Sequence, residues 1–437
     1  MRPNTLFGDF TQKESSSSLT IGNEIDDSKL VKSLEFKDHR DLISSYIYSL
    51  LRTLEFEACW LISCQNSDFK VLLGKKMGFD ARWLAELHSR MHEKLCLNYV
   101  PTVSAAYAQN FDSHTQLVEE GAIASFLYAL SHDLYKHLDQ YLATTDAIAD
   151  EPTYLTLKML RIEMEPHLIK LKQWRDQDIE LHSLASVPEM PQWTPYSAEA
   201  AIPPIPEFPG RSANLQFNPK SIVNHKSYAD LVADIEKLRR FSHYVYVDVE
   251  IAAMEVCAKN IAAYRAMPLD FKLDMARQIW DEARHAIVMR QLLENLGASE
   301  GDYTYSAKVW KKCEKGTCLA ERLAIEQGFQ EGNALESNFL LTESFKQANH
   351  LQMTSRMDYI NADEAIHAKI GNFWMNYLLD GSYEAYQATM EKAAELMNIT
   401  LSSNVAIERS ARKIAGFPDQ FVDLLAENNE VYGYRKS

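Results

Sequence analysis

The segment WDEARHAIVMRQLLENLG places Glu282 and His285 three residues apart, and INADEAIHAKIGNFW repeats that spacing with Glu364 and His367. On an α-helix, residues three apart share a face, so one carboxylate and one imidazole can reach the same ion. Of the 13 histidines, these two alone have a glutamate three positions upstream. A chain of this length yields roughly one Glu-x-x-His by chance. Two of them, each preceded by aspartate and each inside a long helical segment, form a pattern. Two further helical segments each offer a carboxylate: Glu250 in YVYVDVEIAAMEVC and Glu331 in RLAIEQGFQEGNALE. Glu255 competes with Glu250. Glu326 and Glu336 compete with Glu331, but each lies five residues away and well off its helical face.

In chain order the donors read Glu, Glu-x-x-His, Glu, Glu-x-x-His, the inward-facing set that holds two metal ions in a four-helix bundle. Four carboxylates and two neutral imidazoles nearly neutralise two divalent ions, and carboxylates bridge such ions at about 3.5–4 Å. So few donors for two ions leave open positions for dioxygen. Burying this many carboxylates without a cation is expensive, which sets metal ligation ahead of a metal-free bundle with buried Glu–His hydrogen bonds. Asp281 and Asp363 precede the two paired glutamates. They are expected to accept the outer imidazole N–H crosswise, Asp281 from His367 and Asp363 from His285, fixing tautomer and basicity. Tyr244, Tyr246 and Tyr359 lie near the candidate ligands, but in a chain with 21 tyrosines ordinary packing explains them first. Gly328 and Gly332 flank Glu331, where glycine is costly in a helix. They mark either a distorted turn or close helix packing.

These residues need long helices to position them. The expected segments run 243–266, stopped by Pro268; 269–296, ended by Gly297; 317–346; and 350–379, closed by Gly381. Four long helices with short connections over 227–380 read as an antiparallel bundle. Residues 381–437 add shorter amphipathic helices. Upstream, residues 41–184 form a second helical domain with apolar residues at three- and four-residue spacing. Eight of the chain's 14 prolines fall between 188 and 219, so 185–226 reads as an extended linker or strap. Residues 1–40 are polar, with serines at 15 to 18, and read as a mobile arm.

Composition bounds the classes. The 437 residues, 46% hydrophobic and 24% charged, suffice for two or three domains with a full core. A formal charge of −16 disfavours nucleic acid as a partner. The start carries no apolar secretory core and no run of about 18 apolar residues occurs, so a cytoplasmic protein without membrane contact is expected. The six cysteines contain no Cys-x-x-Cys pair, which speaks against a zinc ribbon or a rubredoxin-type iron centre, and Cys313 and Cys318 read as unrelated thiols.

The segments WDEARH, RLAIEQGFQEGNALE and ADEAIHAKIGNFW resemble the ferritin-like di-iron carboxylate superfamily, in particular an oxygenase-type branch near the tRNA-modifying hydroxylases. The resemblance covers about 227–380. It implies an all-α fold, a ferritin-like four-helix bundle carrying a dinuclear site ligated by Glu250, Glu282, His285, Glu331, Glu364 and His367. It implies two Fe ions (or a Mn/Fe pair) and O2 activation, without naming the molecule oxidised. The leading expectation is an oxygenase or oxidase that hydroxylates, desaturates or N-oxygenates a small organic substrate. Electrons then come from an external flavin or ferredoxin-type donor, since the chain shows neither a glycine-rich nucleotide loop nor iron–sulfur ligands. Iron storage fits poorly with a second bundle and a strap. A radical-generating reductase subunit fits poorly with the short step from His285 to Glu331. A tRNA-modifying hydroxylase and a non-catalytic metal-binding or scaffold protein are the rivals.

The N-terminal half echoes the C-terminal one. Glu55 in LEFEACW can be laid on Glu250, and FDARW on DEARH, with Asp80 at Glu282 and Trp83 at His285. MEPHLIKLKQW lies on EAIHAKIGNFW, matching His167 to His367 and Trp174 to Trp374, with Met164 in place of Glu364. The expectation is a degenerate bundle without metal that packs against the active one, shaping a pocket or a homodimer.

Overall fold

A computed structural model describes residues 34–94, 96–185, 193–221, 223, 227–401 and 406–431, with the side chains of 429–431 left aside. The chain is almost wholly helical. The N-terminal half contains α1 (Phe36–Ser63), α2 (Ser67–Glu93), α3 (Ala105–Ser113), α4 (Glu120–Thr144) and α5 (Glu151–Trp174). The C-terminal half begins with α6 (Tyr228–Ala233) and α7 (Ile235–Tyr244), which runs through a π-helical segment, Val245–Glu250, into α8 (Ile251–Ala263). Then come α9 (Leu269–Asn295), α10 (Lys308–Cys313) and α11 (Leu319–Leu323). A second π-helical segment, Ala324–Glu331, leads into α12 (Gly332–Gln347), followed by α13 (Leu351–Leu378), α14 (Tyr383–Met397), α15 (Arg409–Ile414) and α16 (Asp419–Val431).

Local signals explain several ends. Asn66 caps α2 by accepting from the backbone of Asp68 and Phe69, and Asp234 does the same for α7. Gly297 closes α9 at φ +78° and Gly381 closes α13 at φ +73°, where only glycine is unstrained. Helix α1 begins at Phe36, so the expected arm overreached by several residues; residues 1–33 lie outside the described part. The first bundle helix also starts earlier than expected, at Ile235. The described residues between α5 and α6 carry no helix, as their prolines require. They contribute β2 (Trp193–Pro195), which pairs antiparallel with β1 (Thr102–Ser104).

The two halves share one apolar core. Helix α2 packs along α9, and α1 along α8. A Cβ at Gly78 would stand 2.4 Å from the Trp280 side chain, so α2 and α9 approach as closely as they do because no side chain intervenes. Each half also pairs its later helices, α4 with α5 and α12 with α13. The parallel extends to side chains. Phe69 meets Trp174 at 4.9 Å between ring centroids, and Phe271 meets Trp374 at 5.3 Å. Glu55 departs from its expected match with Glu250. It is buried between the halves, where it takes Arg52, Arg265 and Lys272 as partners, and its counterpart is Glu255. Among the described residues, no helix is long and apolar enough to cross a membrane.

Candidate metal centre

The six carboxylates and imidazoles singled out by spacing converge in the C-terminal half. Glu250 ends the first π segment, Glu282 and His285 lie on α9, Glu331 ends the second π segment, and Glu364 and His367 lie on α13. All six are buried; the most accessible, Glu331, is 7% exposed. Their donor atoms form two groups. One joins Glu250, Glu282, His285 and Glu364; the other joins Glu282, Glu331, Glu364 and His367. Within each group the donor atoms lie within 4.8 Å of one another. Glu282 and Glu364 belong to both groups. These buried groups could hold a metal ion.

The imidazoles are oriented alike. His285 Nδ1 lies 3.0 Å from Glu282, 3.7 Å from Glu250 and 3.8 Å from Glu364. His367 Nδ1 lies 3.2 Å from both Glu282 and Glu364. The other ring nitrogen of each points outward, His285 Nε2 to Asp363 at 3.2 Å and His367 Nε2 to Asp281 at 3.5 Å. The second contact has ion-pair separation without hydrogen-bond alignment. The crossed arrangement keeps each Nδ1 facing the cluster.

The electrostatics follow from burial and crowding. Burial pushes Glu250 up to about 8, against its contacts with His285. Burial and the neighbouring carboxylates of Glu364 and Glu282 push Glu331 well above the usual range. Glu282 goes the other way: its burial is outweighed by His367 and His285, which hold it well below. Both imidazoles are raised well above their ordinary value because the surrounding carboxylates outweigh desolvation. The cluster alone therefore retains protons on groups that a cation would have to displace.

The rejected carboxylates are engaged elsewhere. Glu255 pairs with Lys70 and Arg211. Glu336 takes a two-pronged contact from Arg412. Glu326, on the same π segment as Glu331, accepts from the Cys313 thiol at 3.0 Å and from Gln330, and burial pushes it up to about 7. Tyr246 is tied to Glu300 and Tyr359 is exposed. Cys313 is buried and Cys318 exposed, both as free thiols.

Several residues that touch the cluster escaped the sequence reading. Gln278 donates to Glu282 at 3.1 Å and to Glu331 at 2.9 Å, and its own oxygen accepts from Gln327 at 2.9 Å. Arg284 contacts Asp281 and, at 2.8 Å, Asp363; Arg277 reaches Asp281 at 2.7 Å. Burial alone would raise both aspartates, but the neighbouring His367, Arg277 and Arg284 hold Asp281 low, and the hydrogen bond from His285 together with Arg284 holds Asp363 low. Helical spacing was the available signal, since Gln278 lies one turn before Glu282 and Arg284 three residues after Asp281. The π segments had a fainter one. Gly328 lies in the second and Gly332 follows it, and both are also closely packed, against Met390 and Phe417. π turns of this kind concentrate at functional sites.

The sequence model of one family, described as a protein of unknown function (DUF455), matches residues 162–423. That span includes all six clustered residues, both aspartates, α14 and α15. No curated protein matches, and no solved structure matches.

Proposed function

The chain belongs to the DUF455 family of proteins of unknown function, and we propose that this member is a non-haem di-iron oxygenase or oxidase built on a ferritin-like bundle. The reading is carried by one observation: two donor groups that overlap in Glu282 and Glu364. Two buried groups of that composition, sharing two carboxylates, suit a pair of divalent ions better than one. Residues Glu250 and His285 would serve one ion and Glu331 and His367 the other, with Glu282 and Glu364 common to both. Such a pair, when bound, supplies dioxygen binding and reduction.

The residues divide the remaining work. Asp281 and Asp363, kept ionised by Arg277 and Arg284, hold the two imidazoles with Nδ1 inward. Gln278 fixes the carboxylates of Glu282 and Glu331 through its amide hydrogens, and Gln327 fixes Gln278. Burial of the cluster excludes water, which favours oxidation of a small organic substrate over loss of oxidising equivalents to solvent. The electrons come from a separate flavin or ferredoxin-type donor.

The test is anaerobic loading with Fe(II), a count of metal per chain, and admission of oxygen while the visible spectrum is recorded. About two irons per chain, with a transient absorbing species lost in Glu282→Ala and His367→Ala, is the expected result. Iron bound without any oxygen consumption, whatever reductant is supplied, would leave a non-catalytic metal-binding protein. No iron uptake would overturn the metal reading altogether.

A further inference from the structure

The two clustered glutamates without a paired histidine, Glu250 and Glu331, each close a π segment, and both segments grip the same short element. Helix α10, Lys308–Cys313, packs against both of them. Just before its start, Asp248 of the first segment accepts from the backbone N–H of Ser306 at 2.9 Å and of Ala307 at 2.6 Å. The Ser306 hydroxyl adds a third bond to the same carboxylate at 3.0 Å. At the other end of α10, the Cys313 thiol donates to Glu326 of the second segment at 3.0 Å. Gln330 closes that contact, donating to Glu326 and, at 3.6 Å, to the Cys313 sulfur. Asp248, Ser306, Cys313 and Glu326 are all buried.

Ala307 sits at φ +54° and ψ +32°, a left-handed conformation unfavourable for a residue with a β-carbon. Strain of this kind persists only where the surroundings over-determine it, and here the Asp248 carboxylate holds the Ala307 N–H. The N-terminal half supplies a contrast. Among its described residues no group of metal donors gathers. Its α1 and α4 run as unbroken α-helices. Counting back from the match of Glu55 with Glu255 puts Tyr48 and Leu50 where Asp248 and Glu250 stand. On this helix the π turn, the clustered glutamate and the carboxylate anchor are absent together. We infer that Ser306–Cys313 is a strut that fixes the two π segments against each other, so that Glu250 and Glu331 are seated as a pair. Asp248 and Glu326 are then positioning residues at its two ends, and the strut sets how far apart two bound ions are held.

The inference rests on the metal reading of the cluster, so two readouts keep their failures apart: Co(II) titration, and amide hydrogen exchange of the metal-free full chain. A Glu331→Ala chain keeps the donor group of Glu250, Glu282, His285 and Glu364. It should bind about one Co(II) per chain. Adding Cys313→Ala, which releases the far end of the strut, should weaken that ion about 5-fold or more. Cys313→Ser, which keeps a donor for Glu326, should restore the affinity. The mirror pair, Asp248→Ala in a Glu250→Ala chain, should weaken the ion at Glu331 and His367 likewise. In the metal-free chain, Cys313→Ala should speed exchange of the Val245–Glu250 amides while leaving those of α4 and α5 unchanged. Unchanged Co(II) affinity in either pair would overturn the strut, and so would exchange that is unchanged at Val245–Glu250 or faster throughout the chain. Where neither parent binds Co(II), the metal reading falls and exchange alone decides the strut. Where Cys313→Ala fails to fold, the milder Ser306→Ala takes its place: faster exchange of the Ala324–Glu331 amides supports the strut, and unchanged exchange there refutes it.

Discussion

Glu55 and Glu255 hold equivalent posts in the two halves, and each is met by a lysine from the other half. Lys272 reaches Glu55 at 3.2 Å and Lys70 reaches Glu255 at 2.8 Å. The segment between the halves joins in on both sides, with the Tyr196 hydroxyl 2.8 Å from Lys272 and Arg211 on Glu255. Both carboxylates are completely buried. Removing one partner of such a pair leaves an uncompensated charge and costs about 3–5 kcal/mol. Glu255→Leu, which strands Lys70 and Arg211 together, should lower the urea midpoint accordingly, while Lys70→Met alone should lower it less because Arg211 still pairs with Glu255. Equal losses in the two variants would contradict this role.

Arg284 joins the two outer aspartates into one network from His285 through Asp363 and Asp281 to His367. Arg284→Gln should weaken metal binding about 10–100-fold, the usual scale for such supporting partners. Arg284→Lys should restore part of it. Competition titration with a chelator of known affinity measures both, independently of turnover.

His243 gives the fold an acid-sensitive point. It is buried at the end of α7, its Nε2 lacks a partner, and burial lowers it to about 4. The unfolded chain takes up this proton near pH 6.5 and the folded chain does not. Stability from this group is therefore complete above pH 6.5 and falls as pH drops toward 4, by up to about 3 kcal/mol. His243→Phe should flatten that part of the stability–pH curve, as followed by thermal melts between pH 4 and 7.

Gly78 sets the distance between the halves. Gly78→Ala should destabilise by about 1–3 kcal/mol through overpacking against Trp280. A compensating Trp280→Leu should restore part of that in the double variant. Calorimetry of the single and double variants is the measurement.

Much of the site was legible because helix geometry turns spacing into position: Glu282 with His285 and Glu364 with His367 share a face before any tertiary structure is known. The crossed aspartates followed from the same register. Choosing Glu250 over Glu255 was harder, since both are buried on one helix and only packing decides which half each faces. The misplacement of Glu55 had the same origin. Local resemblance drew it onto Glu250, whereas the cations Arg265 and Lys272, more than 200 residues away in the chain, set its true counterpart. The π segments were opaque because an extra residue in a turn leaves the composition of a helix unchanged.

The cross-half pairing of α1 and α2 with α8 and α9 gives two bundles the intimacy of a symmetric dimer while keeping them in one polypeptide. In a homodimer every substitution is imposed twice, so neither subunit can change its chemistry without the other. Here a change is made once. That freedom lets one side keep a glutamine at position 278 while the other carries a lysine at position 76.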